Sequence, residues 1–316
     1  MADMKIFFAT DLHGSDATFR KFLNAAQVYK PDVMILGGDM TGRQVIPFIK
    51  FANGKAAFTW QGKDITAEPD EIPNYARQIR SAGAYPFYTT PDQFTQLKSN
   101  PNDLKRTYRE TICYSILEWI EMADERLGKA GIECYFLPGN DDDLLVDETF
   151  YKAQWVKNPE GKVVILRGEY EMISTGFTNL NPWRSFRELN EDQLLEKLEG
   201  MAGRLNLPSR AIFNFHCPPY KTDLDYGVLL DSNLNPIGGE GNEQGGPLGS
   251  KAVRQIIETY QPLLSLHGHV PESSGIIKMN KTVCVNPGSE AEEGALHAAL
   301  VVMDSQRVKG HMLTNS

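Results

Sequence analysis

Cysteine is scarce: Cys113, Cys134, Cys217 and Cys284 are the only four in 316 residues, scattered and without a C-x-x-C pair. That usage excludes the dense disulfide framework of small secreted domains and suits a reducing compartment. Positive charge is also in short supply. Lys and Arg number 32 against 41 Asp and Glu, for a formal net charge of -9, so no broad basic surface is available to neutralise a nucleic-acid duplex or an anionic membrane. No apolar run is long enough to span a bilayer. Met1-Ala2-Asp3-Met4 runs straight into an apolar segment with neither a basic leader nor a small-residue cleavage site, and the expectation is a cytoplasmic protein. No repeat period is present, and the one low-complexity stretch, the Gly-rich acidic run from Pro236 to Gly249, is expected as mobile surface.

What is there is an ordinary globular composition, 41% apolar and 23% charged, in a chain long enough to bury a full core. Short runs rich in β-branched and aromatic residues predict buried strands at Lys5 to Thr10, Val33 to Leu36, Cys134 to Leu137, Val163 to Leu166, Ala211 to Phe215, Leu263 to Leu266, Thr282 to Val285 and Ala298 to Met303. Helical spacing predicts helices over Ala17 to Val28, Asn190 to Leu205 and Ser250 to Tyr260, the last with Ser250 as N-cap. Strands alternating with helices argue for a layered α/β fold, whose ligands gather beyond the carboxyl ends of the strands. The stretch 53–131 breaks the alternation with a hairpin (Ala57 to Trp60, turn Gln61-Gly62-Lys63), a Pro-rich segment and a long helix from about Asp103 to Leu127. It reads as an insertion in a single domain of residues 1–316, and its aromatics either wall a substrate cleft or pack the insertion onto the main body.

Five short motifs stand where apolar runs end: Asp11-Leu12-His13-Gly14, Gly37-Gly38-Asp39, Gly139-Asn140-Asp141, His216 after Phe215, and His267-Gly268-His269. A lone D-x-H carries little information; the order and placement of all five carry the weight. Asp11 and His13 occupy alternating positions at a strand end and point to the same side, where they can grip one cation. Asp39 has two oxygens and can bridge to a second. Asn140, His216 and His269 add an amide oxygen and two imidazoles, a mixed set better suited to Mn, Fe or Zn than to Mg or Ca. Two ions about 3.5–4 Å apart form a clamp for phosphoryl displacement, and they supply the local positive charge that an acidic chain lacks.

With these motifs the sequence resembles the calcineurin-like metallophosphoesterase superfamily, over nearly the whole chain outside the insertion. It looks closest to the Icc-related predicted phosphoesterases, through His216-Cys217-Pro218-Pro219-Tyr220, Gly249-Ser250-Lys251-Ala252-Val253-Arg254, Gln261-Pro262 and Asn286-Pro287-Gly288-Ser289. The resemblance implies an α/β/β/α sandwich and two divalent ions. Asp11, His13 and Asp39 would hold the first ion; Asp39, Asn140, His216 and His269 would hold the second. The implied reaction is hydrolysis of a small phosphomonoester, phosphodiester or nucleotide by a metal-bridging hydroxide.

Two positions depart from the pattern. The last motif of the family ends in a histidine for the first ion, and here Pro271 stands in its place, with no donor to offer. In an alternative register His267 and His269 form the pair, so His267 is a candidate ligand, a partner behind a ligand, or a strand-end cap. Asp141 occupies the position of a histidine that protonates the leaving group. An ordinary aspartate titrates at about 3.9 and makes a poor general acid at neutral pH, which predicts substrates whose leaving group needs little help. Arg43 is a candidate phosphate contact or a surface charge. Asp142 and Asp143 read as carboxylates favoured at a helix N-terminus. The alternatives to a phosphoesterase of small substrates are a metal-binding scaffold without turnover and a protein Ser/Thr phosphatase.

Overall fold

A computed structural model of the chain describes residues 3–239 and 241–316. Two β-sheets pack face to face and carry helices on their outer sides. The first has five strands in the order Val308–Asn315, His297–Met303, Met4–Ala9, Val33–Leu36 and Glu133–Phe136. The second has six, in the order Gly275–Met279, Thr282–Asn286, Leu264–Leu266, Ile212–Phe215, Tyr170–Thr175 and Val163–Leu166. Strand alternation builds the layers directly. In Met4–Ala9, Ile6 and Phe8 turn inward to meet Met172, Ile212, Leu264 and Val285 of the second sheet, and together they form the core between the sheets. Phe7 and Ala9 of the same strand turn outward onto helices Asp16–Tyr29 and Pro101–Ala130, where Phe19 stacks on Trp119 at 4.2 Å. On the far side Phe213 and Phe215 pack under helices Glu191–Ala202 and Lys251–Tyr260. The architecture is the expected α/β/β/α sandwich.

The predicted strands and helices are present, each within a few residues of its expected ends. Ser250 caps its helix by accepting from Val253 N, and Asn190 closes a capping box with Gln193. The stretch 53–131 contributes the expected hairpin as Ala56–Trp60 and Lys63–Ala67. These strands belong to a separate four-stranded sheet completed by Gln44–Lys50, which lies ahead of residue 53, and Ala84–Thr89. Phe48 and Phe58 stack at 4.0 Å in its own small core. The long helix Pro101–Ala130 instead buries Ile116, Trp119, Ile120, Ala123 and Leu127 on the main sandwich. The Pro236 to Gly249 stretch is mostly exposed, with Gly245–Pro247 paired to Tyr226–Val228; Glu240, Met1 and Ala2 lie outside the described residues. No helix among the described residues is long and apolar enough to cross a membrane.

Candidate metal centre

Strands Met4–Ala9, Val33–Leu36 and Glu133–Phe136 run parallel in the first sheet, as do Ile212–Phe215 and Leu264–Leu266 in the second. Asp11 and His13, Asp39, Asn140, His216 and His269 follow their carboxyl ends in that order. Six side chains from five loops therefore meet at one end of the sandwich. One donor atom each from Asp11, His13 and Asp39 lies within 4.8 Å of the others, and so does one each from Asp39, His216 and His269. Asp39 belongs to both groups.

The backbone is bent to achieve this. Asp11, His13, Asp39 and His269 all take positive φ, at 55°, 44°, 47° and 68°, a region that costs an L-residue roughly 1–2 kcal/mol. Four such residues at one site show that the surrounding packing, rather than local preference, sets their geometry. Gly38 must be glycine here. Its φ is 127°, and an added Cβ would lie 2.2 Å from His216 Nδ1.

Hydrogen bonds fix each group further. His216 Nδ1 lies 2.9 Å from Gly37 O, which leaves Nε2 directed at the carboxylates, 3.3 Å from Asp39 and 3.9 Å from Asp11. Asp11 accepts from Thr10 Oγ1 and from His269 N, and its own carbonyl accepts from Ser289 Oγ, so the Asn286-Pro287-Gly288-Ser289 turn closes the floor. Asp39 Oδ1 accepts from Asp141 N.

Charge follows the same packing. Burial opposes a proton on His216, but the Asp39 and Asp11 carboxylates outweigh it and raise the imidazole to about 10. Burial likewise opposes charge on Asp39, and His216 prevails there to hold it well below the usual carboxylate range. For Asp11 burial wins, and its carboxyl is raised. Burial, reinforced by the nearby His216, lowers His269 to about 4. Within the donor set Asn140 Oδ1 is buried with no hydrogen-bond partner among the described residues, and the buried His216 Nε2 faces only the carboxylates, Asp39 at 3.3 Å. Buried polar atoms are rarely left so. A divalent cation is the partner that this mixed O/N donor set suits, and the residues present fit one.

His267 does not join either donor group. It is fully buried, and its Nδ1 lies 2.9 Å from Phe215 O and 3.0 Å from Cys217 O, so the ring secures the loop that follows Phe215. The strand ends at Leu266, so the alternation that would put residues 267 and 269 on one side no longer holds, and the positive φ of His269, 68°, turns that side chain alone into the site. Pro271 does line the cavity, and its ring offers no donor to it.

Asp141 and Arg43 form an ion pair at the mouth. The Asp141 oxygens also accept from Ser185 Oγ at 2.6 Å and Asn140 Nδ2 at 3.2 Å, and the Arg43 guanidinium lies 4.8 Å over the Trp183 ring.

Asp142 is the group that sequence reasoning misplaced. It is fully buried and caps no helix; it accepts from Met40 N, Thr41 N, Thr41 Oγ1 and Gly139 N, and so ties the Asp39 loop to the Asn140 loop. Burial and the Asp39 carboxylate raise it to about 6. Asp143 pairs instead with Arg109 and accepts from Leu145 N. The only warning in the sequence was the run of three aspartates, more carboxylates than a short helix needs.

The site opens into a cavity of about 580 Å³ walled by Arg43, Trp60, Gln61, Trp183 and Glu292 as well as every donor but His216. Trp60 and Gln61 come from the tip of the small-sheet hairpin. That sheet lies close because Gly42 meets Gly83 O, where an added Cβ would sit at 1.8 Å.

No protein-family model matches the chain. An uncharacterized protein of Methanocaldococcus jannaschii is 27% identical over 163 residues, which is 51% of this chain and 66% of that protein. The match thus spans just under two thirds of that relative. One solved structure superposes over 100% of this chain and 99% of its own, with a TM-score of 0.57 at 16% identity. TT1561 of Thermus thermophilus gives 0.51 at 14% identity, with the same coverage. At such identities the likeness is one of fold, and the fold, with its donors at the strand ends, agrees with the resemblance to calcineurin-like metallophosphoesterases drawn from the motifs.

Proposed function

We propose that the protein is a metal-dependent phosphoesterase acting on a small phosphorylated substrate. The observation that carries this reading is the shared carboxylate: Asp39 belongs to both donor groups, beside a buried Asn140 Oδ1 that lacks a hydrogen-bond partner. Asp11, His13 and Asp39 would hold one divalent ion, and Asp39, Asn140, His216 and His269 the other. Bound there, the ions would supply Lewis-acid charge for a phosphoryl group and an activated water for its attack. Thr10, Ser289 and the Asp141 amide orient the two aspartates. Arg43 lines the same cavity, and its planar fork is suited to a phosphate oxygen once substrate competes with Asp141. Both Asp141 oxygens are occupied as acceptors, so this chain offers no proton there to a departing alkoxide, and good leaving groups are preferred. The small sheet, from Gln44–Lys50 to Ala84–Thr89, serves as a cap whose hairpin tip narrows the cleft, while the helix Pro101–Ala130 of the expected 53–131 insertion belongs to the main body.

A second reading, a scaffold that binds a single ion without turnover, is favoured by Pro271, which leaves the first donor group one ligand short. Metal analysis and turnover of bis-p-nitrophenyl phosphate in manganese separate the two. Two ions per chain with turnover, both lost in Asp39→Asn, is the expected result. His267→Ala is expected to keep its metal while melting earlier. One ion and no turnover would make the scaffold the better description.

A further inference from the structure

Two tryptophans at the rim of the metal cavity have no part in the reading above. Trp60 stands at the tip of its hairpin, paired in register with Lys63, its ring half-buried on the core of the small sheet. Trp183 belongs to the loop 181–187 and leaves 47% of its surface in water. Both line the cavity that contains Asp11, His13, Asp39 and His269.

Trp183 is held in place rather than loose. Its amide donates to Asn181 Oδ1 at 2.8 Å, its ring carries the Arg43 guanidinium, and Ser185 in the same loop donates to Asp141. Phe186 N and Arg187 N both donate to the carbonyl of Asn140, which ties the loop directly to a candidate metal ligand. Two anchored indoles from opposite segments of the chain thus stand over a strongly polar floor. An exposed indole that cannot collapse onto its own protein leaves a large apolar surface in water. A flat π face recovers most by stacking on another planar ring, worth about 1–3 kcal/mol for a nucleobase on an aromatic side chain. For an aryl ester the leaving-group argument points the same way, since an aromatic oxygen departs without a proton from the enzyme.

Resting on the phosphoesterase reading, we propose that the cavity takes a phosphoester carrying a planar aromatic ring, which packs against Trp60 and Trp183 while the phosphoryl group sits on the metal floor. Trp60 and Trp183 are then the residues that set specificity, and the hairpin and the 181–187 loop are there to present them.

The test is calorimetric binding to the manganese-loaded full chain of three probes that resist hydrolysis: methylphosphonate, phenylphosphonate and adenosine 5′-thiophosphate. Phenylphosphonate is expected to bind about tenfold tighter than methylphosphonate, and Trp60→Ala and Trp183→Ala are each expected to cut that preference several-fold. Adenosine thiophosphate tighter still identifies the ring as a nucleobase; phenylphosphonate the tighter of the two identifies a simple aryl group. Equal binding of the two phosphonates, no binding of any probe, or a preference that survives both substitutions overturns the proposal. Asp39→Asn reports on the metal floor separately. Probes that bind it as well as wild type would sink the phosphoesterase reading, while the tryptophan dependence still judges the aromatic one.

Discussion

At His216 the protein buries an imidazole between two carboxylates, and without a cation the cheapest way to satisfy that geometry is to keep a proton on the ring. A pKa raised to about 10 from 6.5 means that the native state holds a proton which the unfolded state releases above pH 6.5. The stability this contributes is complete below pH 6.5 and is lost as pH rises through about 10. His267 and His269, lowered to about 4, and Asp142, raised to about 6, titrate below that window. Chelator-treated protein should therefore lose about 2 kcal/mol between pH 7 and 8.5 in urea unfolding. Saturating manganese should flatten the slope, because the ion takes the place of the proton. A flat profile in chelator would show that His216 is neutral in the apoprotein and that the carboxylates carry the site's charge unbalanced. Asp11, His13, Asp39 and His269 were identifiable from residue type and position alone. Their positive φ angles were not, since they are imposed by packing. His267 shows the limit of reading by spacing: H-G-H puts two imidazoles within reach of one point, and only the turn of the backbone at His269 decides which of them arrives.

Among the elements, those with strong periodicity were the legible ones. Val33–Leu36 is wholly buried and reads as a strand from its four apolar residues, and Asn190 and Ser250 announce their helices by their caps. Tyr170–Thr175 was passed over although it lies inside the second sheet, because Glu171 and Ser174 interrupt its apolar run. Gln44–Lys50 and Ala84–Thr89 carry Pro47 and Pro86, which argue against a strand. Ala84–Thr89 is an edge, and Gln44–Lys50 pairs with the hairpin only at Ile49 and Lys50, so neither proline breaks a ladder. The loop 181–187 had no signal beyond its Pro-Trp pair. Its anchor is Arg187, 1% exposed, which donates to Asp147 and to the carbonyl of Asp143. Arg187→Met should remove both bonds and cost about 2 kcal/mol, with Asp147 left half in water to soften the loss. Hydrogen exchange at the Phe186 and Arg187 amides should quicken first. Protection unchanged at these amides would mean that Ser185 and the Asn140 carbonyl hold the loop without the arginine.

Across the whole molecule the donors divide between the two sheets. Asp11, His13, Asp39 and Asn140 follow strands of the first, and His216 and His269 follow strands of the second. Between the sheets the core is apolar, and at the site end direct polar links join them: His216 to Gly37 O and to Asp39, the His269 amide to Asp11, and Ser289 Oγ to the Asp11 carbonyl. An ion held by Asp39 together with His216 and His269 would fasten the sheets at the end where the apolar core stops. Binding to the native state alone stabilises by RT ln(1 + [L]/Kd), about 2.7 kcal/mol at a hundredfold excess over Kd. That gain should be felt on both sides of the joint. Manganese is therefore expected to slow exchange together at the Asp11 amide in the first sheet's loop and at the His216 and Gly268 amides in the second's, all of which donate to backbone carbonyls at the site. Titration with a chelator should release them together. If manganese protected Asp11 and left His216 and Gly268 unchanged, the ion would rest on Asp11, His13 and Asp39 alone. The sheets would then be joined without the ion, and the bridge through Asp39, on which the proposed hydrolysis depends, would not form.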